Sequence, residues 1–282
     1  MTGIDFFESL DPSICGGKGK NLVVLTKAKF PVPLGFIITT SVFDLFHRES
    51  VFPMQVQERI HELYLHLTRT TRSPFVSVRS SASAEDLKHA SFAGQYDTFL
   101  YVHSFDQLIT RIIDCRDSLY NERAVAYRKR FNIPEDNIKM AVVVQSMIDP
   151  RSAGIMFTSY RQPGKETENV MLIESNWGCG ETVVSGKATP DHFILSKNSP
   201  HSVIETLRGD KETIMKGSPD GFIEFEPTEE QRSSLSLEPV ELQQLCELGN
   251  RIEGHFGFPC DIEWAIDEEG TIFILQSRPI TK

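Results

Sequence analysis

The sequence predicts an α+β protein built in two lobes, and three observations predict it. Helical periodicity and short strands alternate over the first half of the chain, strand-like runs dominate from residue 140 on, and composition shifts at the strand around Val144 and Gln145. The expected lobes are therefore 1–145 and 146–282. The chain has 282 residues, 40% hydrophobic and 24% charged, which is enough to bury a sizeable core and too apolar for disorder.

Residues 22–30 have the pattern of a short helix, stopped by Pro31 and Pro33 and followed by a β-rich run over 35–39. Helical spacing recurs over roughly 54–70 and 104–130. Between them, Phe75 to Val78 is expected to form a strand that ends at Arg79. Beyond residue 140 strands are expected over 140–148, 153–158, 170–175, 192–195, 222–225, 261–266 and 271–276, with one helix near 239–255. The polar stretches 161–168 and 211–221 are expected to be exposed turns.

The formal net charge of −10 opposes general nucleic-acid binding, because the overall field repels a polyphosphate backbone. The most hydrophobic stretch, Ala141 to Val144, stops at Gln145, far short of the ~20 residues that cross a bilayer, so no membrane span is expected. Acids stand in the first eight residues where a signal peptide needs basic ones. The five cysteines are odd in number and contain no C-x-x-C pair, and there is no N-x-[ST] sequon, so reduced thiols and a cytoplasmic protein are expected.

Gly16-Gly-Lys-Gly-Lys-Asn-Leu22 opens the first helix. Glycines and a lysine at a helix N-terminus suit a phosphate, since exposed N–H groups and the positive end of the dipole face it. The stretch is neither a Walker A loop nor G-x-G-x-x-G, and taken alone it is better read as a glycine-rich turn with solvated lysines. Arg79, expected at a strand end, suits phosphate oxygens, with a structural pair to Glu85 or Asp86 as the alternative. The small residues around Gly94, Ser91 to Gln95, suit a loop whose backbone covers a phosphate chain, or a plain turn. Glu174 ends an apolar strand before a glycine turn, where a carboxylate could accept from ribose hydroxyls or an adenine amino group.

The C-terminal segment carries more. Asp267 to Gly270 is turn chemistry between two alternating runs, which predicts a hairpin. Pairing Ile266 with Thr271 sets Asp261 opposite Gln276 and Glu263 opposite Ile274, and a period of two then places Asp261, Glu263, Gln276 and Arg278 on one face. Hard oxygen ligands beside a cation are what Mg2+ bridging ATP phosphates requires, while a solvent-facing polar hairpin is the alternative. The histidines make no metal site. His61 and His66 are five positions apart, so on a helix their rings diverge by roughly 140°, and the others stand alone. Cys179 has no nearby His or Cys to lower its pKa, so it is expected to be a packed residue.

Five collinear segments, GGKGKNL with PVPLGFIIT (16–39), VSVRSSASAEDLKHASFAGQYDTFL (76–100), VVVQSMIDPRSAGIMFT (142–158), ESNWGCGETVVSGKATPD (174–191) and DIEWAIDEEGTIFILQSRPIT (261–281), resemble the ATP-binding N-terminal domain shared by pyruvate phosphate dikinase, phosphoenolpyruvate synthase, rifampicin phosphotransferase and the glucan water dikinases. The resemblance covers essentially the whole chain. It implies an ATP-grasp-like fold with the nucleotide in the cleft between two lobes and Mg2+ on the carboxylate-bearing hairpin.

By the same resemblance, Lys18 corresponds to the phosphate-binding lysine and Arg79 to the arginine that steadies the transferring phosphate. Asp261, Glu263 and Gln276 correspond to metal-coordinating or catalytic positions, Arg278 to a phosphate-contacting arginine, and Gln145 to the strand lining the adenine pocket. Lys20 and Cys179 depart from the pattern, where relatives carry a small residue and a leucine. The implied activity is transfer of phosphate from Mg-ATP to a histidine, releasing AMP and phosphate. The phosphohistidine domain that follows QSRPIT in full enzymes is absent here, and His89, beside the Ser91 loop, is a poor carrier because it is embedded there. A carrier domain in trans or in a longer parent chain is therefore expected. The alternative function is a non-catalytic ATP-binding or regulatory module.

Overall fold

A computed structural model of the chain describes residues 3–46, 51–83, 86–87, 90–91, 94–134, 138–161, 169–198, 202–218 and 221–280. They divide into two compact units, Met1–Met147 and Ile148–Ile280. Both mix helix and sheet, so the protein is α+β.

The first unit runs β1 (Ile4–Phe6), α1 (Gly16–Lys27), β2 (Gly35–Ile38), α2 (Thr40–Leu45), α3 (Met54–Thr71), β3 (Val76–Ala82), β4 (Asp86–Leu87), β5 (Ala90–Ser91), β6 (Thr98–Val102), α4 (Phe105–Asp117), α5 (Glu122–Arg130) and β7 (Met140–Ser146). Five strands form an antiparallel sheet in the order β1-β2-β7-β3-β6. Successive residues alternate between its faces. Phe36, Ile38, Val76, Val78, Val142 and Val144 pack with Val56, Ile60 and Leu63 of α3 and Leu108 and Ile112 of α4. On the opposite face, Ile37, Ala141 and Val143 pack with Leu22 and Val23 of α1.

Three departures from the sequence expectations have local causes. Helix α1 begins at the glycine motif, at Gly16, and not where the periodic stretch starts at 22, because its first turn is capped by a distant strand: Ser81 Oγ accepts from Gly19 N (2.9 Å) and donates to the Cys15 carbonyl (2.8 Å). Gly16 has φ +68° and lies so close to β3 that a Cβ would sit 1.9 Å from Ser81 O. Strand β3 does not end at Arg79 but continues to Ala82, held by β7 along its full length. The single period over 104–130 is two helices and a 3-10 turn, each helix with its own cap: Ser104 accepts from Gln107 N and Asn121 from Ala124 N.

The second unit runs β8 (Pro150–Phe157), β9 (Val170–Trp177), α6 (Glu181–Val184), β10 (Asp191–Ser196), β11 (Val203–Leu207), β12 (Ile214–Ser218), β13 (Gly221–Phe225), α7 (Glu229–Ser233), α8 (Pro239–Phe256), β14 (Cys260–Asp267) and β15 (Ile272–Pro279). Its six-stranded sheet is antiparallel in the order β11-β10-β9-β8-β14-β15. One face carries Met156, Met171, Ile173, Phe193, Ile262 and Trp264, all fully buried. Helix α8 meets this face at Gly249, where a Cβ would lie 2.7 Å from Met171 and 2.8 Å from Met156. The other face carries the candidate site.

The expectation of an exposed turn over 211–221 is overturned. Ile214–Ser218 forms β12, paired with β13, and Lys211 is fully buried. Its Nζ donates to Asp191 Oδ1 (2.6 Å) and to the Gly209 carbonyl (3.1 Å), while Asp191 also accepts from Gly209 N, Ser236 N and Ser236 Oγ. A buried charge survives when it is paired and hydrogen-bonded, so polar composition did not mean exposure here. Of the other expected turn, 162–168 lies outside the described residues. No helix among those described is long and apolar enough to cross a membrane.

Candidate active site

In the first unit, Lys18 lies in the first turn of α1 and is half-buried. Arg79 projects from β3 on the face shared by Ser77 and Ser81, the face against which α1 packs, and is paired across the sheet with Thr98 and Val143. The Ser81 bridge to Cys15 and Gly19 therefore fixes the helix start that carries Lys18 against the strand that carries Arg79. Arg79 sits within the sheet, not at a strand end, which corrects the expected placement. Gln145 occupies the same face of β7 and is buried, its amide donating to the Pro33 carbonyl (3.2 Å).

Gly94 is exposed at φ +70°, with nothing within 4 Å of an added Cβ, so the backbone conformation and not space requires glycine there. Gln95 is tied down by Arg123 Nε (3.1 Å) and Asn121 Nδ2 (3.4 Å) on its carbonyl. Residues 92–93, Glu85 and His89, and the side chains of Asp86 and Ser91, lie outside the described residues.

In the second unit the hairpin β14–β15 departs from simple pairing twice. The turn closes one residue later than expected, with Ile266 opposite Ile272, because Asp267 Oδ1 accepts from Glu269 N (3.0 Å) and Thr271 N (2.8 Å) and Gly270 takes φ +82°. Continued unbroken, that register would turn Gln276 and Arg278 to the face opposite the acids. A β-bulge at Leu275, between the pairs Trp264–Ile274 and Glu263–Gln276, restores the parity. The expected pairs Asp261–Gln276 and Glu263–Ile274 are thus replaced by Asp261–Arg278 and Glu263–Gln276, yet all four side chains share one face.

This face continues across the sheet. His192, Glu174, Ile155, Glu263 and Gln276 form one transverse row over five adjacent strands, β10, β9, β8, β14 and β15. The next row is Ile194, Leu172, Phe157, Asp261 and Arg278, and Val170, Leu172 and Ile194 cluster there with Phe157 and Tyr160. An apolar patch therefore adjoins a strip of acids, an amide and a guanidinium. Arg278 forks onto one oxygen of Asp261, with Nε at 2.8 Å and a terminal nitrogen at 2.7 Å from Oδ2. Burial raises the Asp261 pKa; Arg278 opposes this, and Glu263 and Glu174 add to it, so the three carboxylates share one electrostatic neighbourhood.

His192 Nδ1 lies 3.0 Å from Glu174 Oε1, and that hydrogen bond holds the imidazole pKa above its ordinary value against the opposing effect of burial. Sequence reasoning missed this histidine. The alternation over 191–196 shows which face it occupies, but only the register of two distant strands shows what it faces.

Among the described residues no three His, Cys, Asp or Glu side chains converge as a metal cage. Asp261, Glu263 and Gln276 nevertheless form a compact set of hard oxygen donors. Mg2+ is held by one or two carboxylates with substrate phosphates completing its octahedron, and this partial set fits that demand. His61 and His66 turn apart as expected, one against Phe105 and the other against Phe6. Cys179 is buried, a packed residue.

The profile of the family described as "Pyruvate phosphate dikinase, AMP/ATP-binding domain" matches residues 47–282. A probable phosphoenolpyruvate synthase of Methanothermobacter thermautotrophicus is 36% identical over 99% of this chain and 46% of its own length. The uncharacterized phosphotransferase YvkC of Bacillus subtilis is 34% identical over 95% of this chain and 33% of its own. The phosphoenolpyruvate synthase of Pyrococcus furiosus is 30% identical over 99% of this chain and 44% of its own. The chain thus spans less than half the length of these relatives. Among solved structures, the D-alanine-D-alanine ligase from Coxiella burnetii aligns with 94% of this chain and 48% of its own at 8% identity and a TM-score of 0.42, too low to carry weight.

Proposed function

Because the chain belongs to the family of the pyruvate phosphate dikinase AMP/ATP-binding domain, we propose that it binds Mg-ATP in an ATP-grasp-like manner and presents it for phosphoryl transfer to a histidine on a carrier domain, supplied in trans or by a longer parent chain, with AMP and phosphate released. The observation that supports this most is the bulged hairpin, which aligns Asp261, Glu263, Gln276 and Arg278 on one face beside Glu174. Two acids, an amide and a guanidinium in that arrangement suit a metal-bound polyphosphate better than a solvated edge.

In the first unit Lys18, at the positive end of α1, and Arg79 suit phosphate oxygens; in the second, Arg278, fixed by its fork on Asp261, does. Glu263, Gln276 and the second oxygen of Asp261 would hold Mg2+, which would supply positive charge to neutralise the phosphate oxygens. Glu174 accepts from a donor of the nucleoside, Gln145 borders the base, and the Gly94 loop covers the phosphates with backbone N–H groups. Arg79 acts on the charge that develops during transfer, where stabilisation appears as rate. The net charge of −10 does not prevent this, because charges beyond a Debye length of ~8 Å are largely screened. Free, buried thiols suit a cytoplasmic setting.

The test is incubation with labelled Mg-ATP, with and without a phosphohistidine carrier domain, followed by identification of the nucleotide products. Slow turnover alone and AMP with phosphate on adding the carrier are expected. Binding without AMP in either case would mark a non-catalytic module, and ADP as product would reject the dikinase chemistry.

A further inference from the structure

Glu174 is held by a neighbour that no part of the proposed reaction requires. His192 sits directly across the β9–β10 pair from it, on the candidate-site face, with Nδ1 3.0 Å from Oε1. An ionised carboxylate only accepts, so Nδ1 carries the hydrogen whatever the charge on the ring. The opposite neighbour of Glu174 in the row is Ile155, which offers no hydrogen bond, and the next row holds apolar Leu172 and Ile194. Asp191, the adjacent residue on β10, points to the other face, where Lys211, Gly209 and Ser236 occupy its oxygens, so it does not compete for the imidazole. On the far side His192 is paired with Leu207 of β11. Among the described residues, the hydrogen bond to Glu174 is therefore the polar contact that sets the orientation of both side chains.

We propose that His192 is a positioning residue for the nucleoside half of the ligand: by holding Oε1 of Glu174, it fixes the carboxylate so that Oε2 is presented to a ribose hydroxyl or amino donor. This rests on the proposed Mg-ATP site. A glutamate side chain has three rotatable bonds, and a carboxylate already fixed in its bound rotamer loses less entropy when it accepts from the ligand. Asparagine places an N–H donor close to the position of Nδ1, whereas leucine fills similar space without one.

The experiment measures dissociation constants by calorimetry for Mg-ATP and for its 2′-deoxy, 3′-deoxy and 6-amino-lacking analogues, in the parent chain and in His192→Leu, His192→Asn and Glu174→Gln. A hydrogen bond to a charged acceptor corresponds to a preference of roughly tenfold or more for ATP over the analogue that lacks the donor. The parent should show that preference for one analogue. His192→Leu should reduce it to about twofold while leaving affinity for the donor-lacking analogue nearly unchanged, and His192→Asn should retain most of it. Full preference in His192→Leu, with loss in Glu174→Gln, would overturn the positioning role and leave the nucleotide site standing. Equal weakening of all ligands in His192→Leu, with no rescue by asparagine, would also overturn it, marking a merely structural histidine. No preference in the parent, or full preference in Glu174→Gln, would remove the Glu174 contact and the inference with it, and failure of the parent to bind Mg-ATP at all would reject the underlying site.

Discussion

Glu263 lies between two chemical neighbourhoods: Gln276 pairs with it across the hairpin, and Asp261 precedes it by one period on the same strand face. Removing its side chain leaves untouched the alternation that buries Ile262 and Trp264 on the other face. Glu263→Ala should therefore leave the melting temperature of the ligand-free protein nearly unchanged and abolish most of the stabilisation by Mg-ATP, read by thermal shift with and without Mg2+. Equal stabilisation of variant and parent would reduce the hairpin to a polar surface. His192 allows a separate check by titration. Its folded pKa is raised above 6.5 chiefly by the hydrogen bond to Glu174, so its contribution to stability is fully present below pH 6.5 and is lost as pH rises through the folded value. Nuclear magnetic resonance should find its midpoint above 6.5, and Glu174→Gln should lower that midpoint and flatten the matching fall in the denaturant midpoint.

At the scale of elements, the start of α1 depends on a hydroxyl 62 residues away from the amide it caps. Ser81→Ala removes both the acceptor for Gly19 N and the donor to Cys15 O, which should cost about 1–2 kcal/mol in chemical denaturation and weaken Mg-ATP stabilisation, since Lys18 rides on that turn. Gly16→Ala should cost more, because its Cβ would meet Ser81 O and its φ is left-handed. This bridge also marks the limit of what the sequence reveals. Strand 140–146 is legible as a short continuous apolar run, 260–267 because apolar and polar residues alternate along most of it, and α3 and α8 because apolar residues recur at helical spacing. A helix start capped from another strand leaves no local signal, and neither does Lys211, whose burial depends on partners at 191, 209 and 236. The shared face of Asp261, Glu263, Gln276 and Arg278 was legible although its pairing was not, since the later turn and the bulge offset each other in parity.

For the molecule as a whole, all five cysteines are free and buried, distributed over both units. Burial pushes the Cys15 thiol up to about 12 and those of Cys246 and Cys260 to about 11, and raises Cys115 as well. A thiol reacts as its thiolate, so modification of the native protein must await opening of the structure. A thiol reagent near pH 8 should label the native chain slowly and all five sites at once in denaturant, and Mg-ATP should slow the native rate further if it binds the folded form. Rapid labelling of a single site would identify a locally open segment in one of the two units.

The bulge at Leu275 makes the hairpin tolerant of a change in chain length that would ruin a regular ladder. Deleting Leu275 leaves Trp264 opposite Ile274 and Glu263 opposite Gln276 in an unbroken register, so every ligand-facing side chain keeps its face and Mg-ATP stabilisation should persist. Deleting Ser277 instead moves Arg278 opposite Ile262, driving a guanidinium into the apolar layer that holds Trp264, and the chain should fail to fold. Natural single-residue length variation in this hairpin is therefore expected to accumulate at the bulge, where a gap in the chain is silent to the chemistry, and to be excluded two positions later.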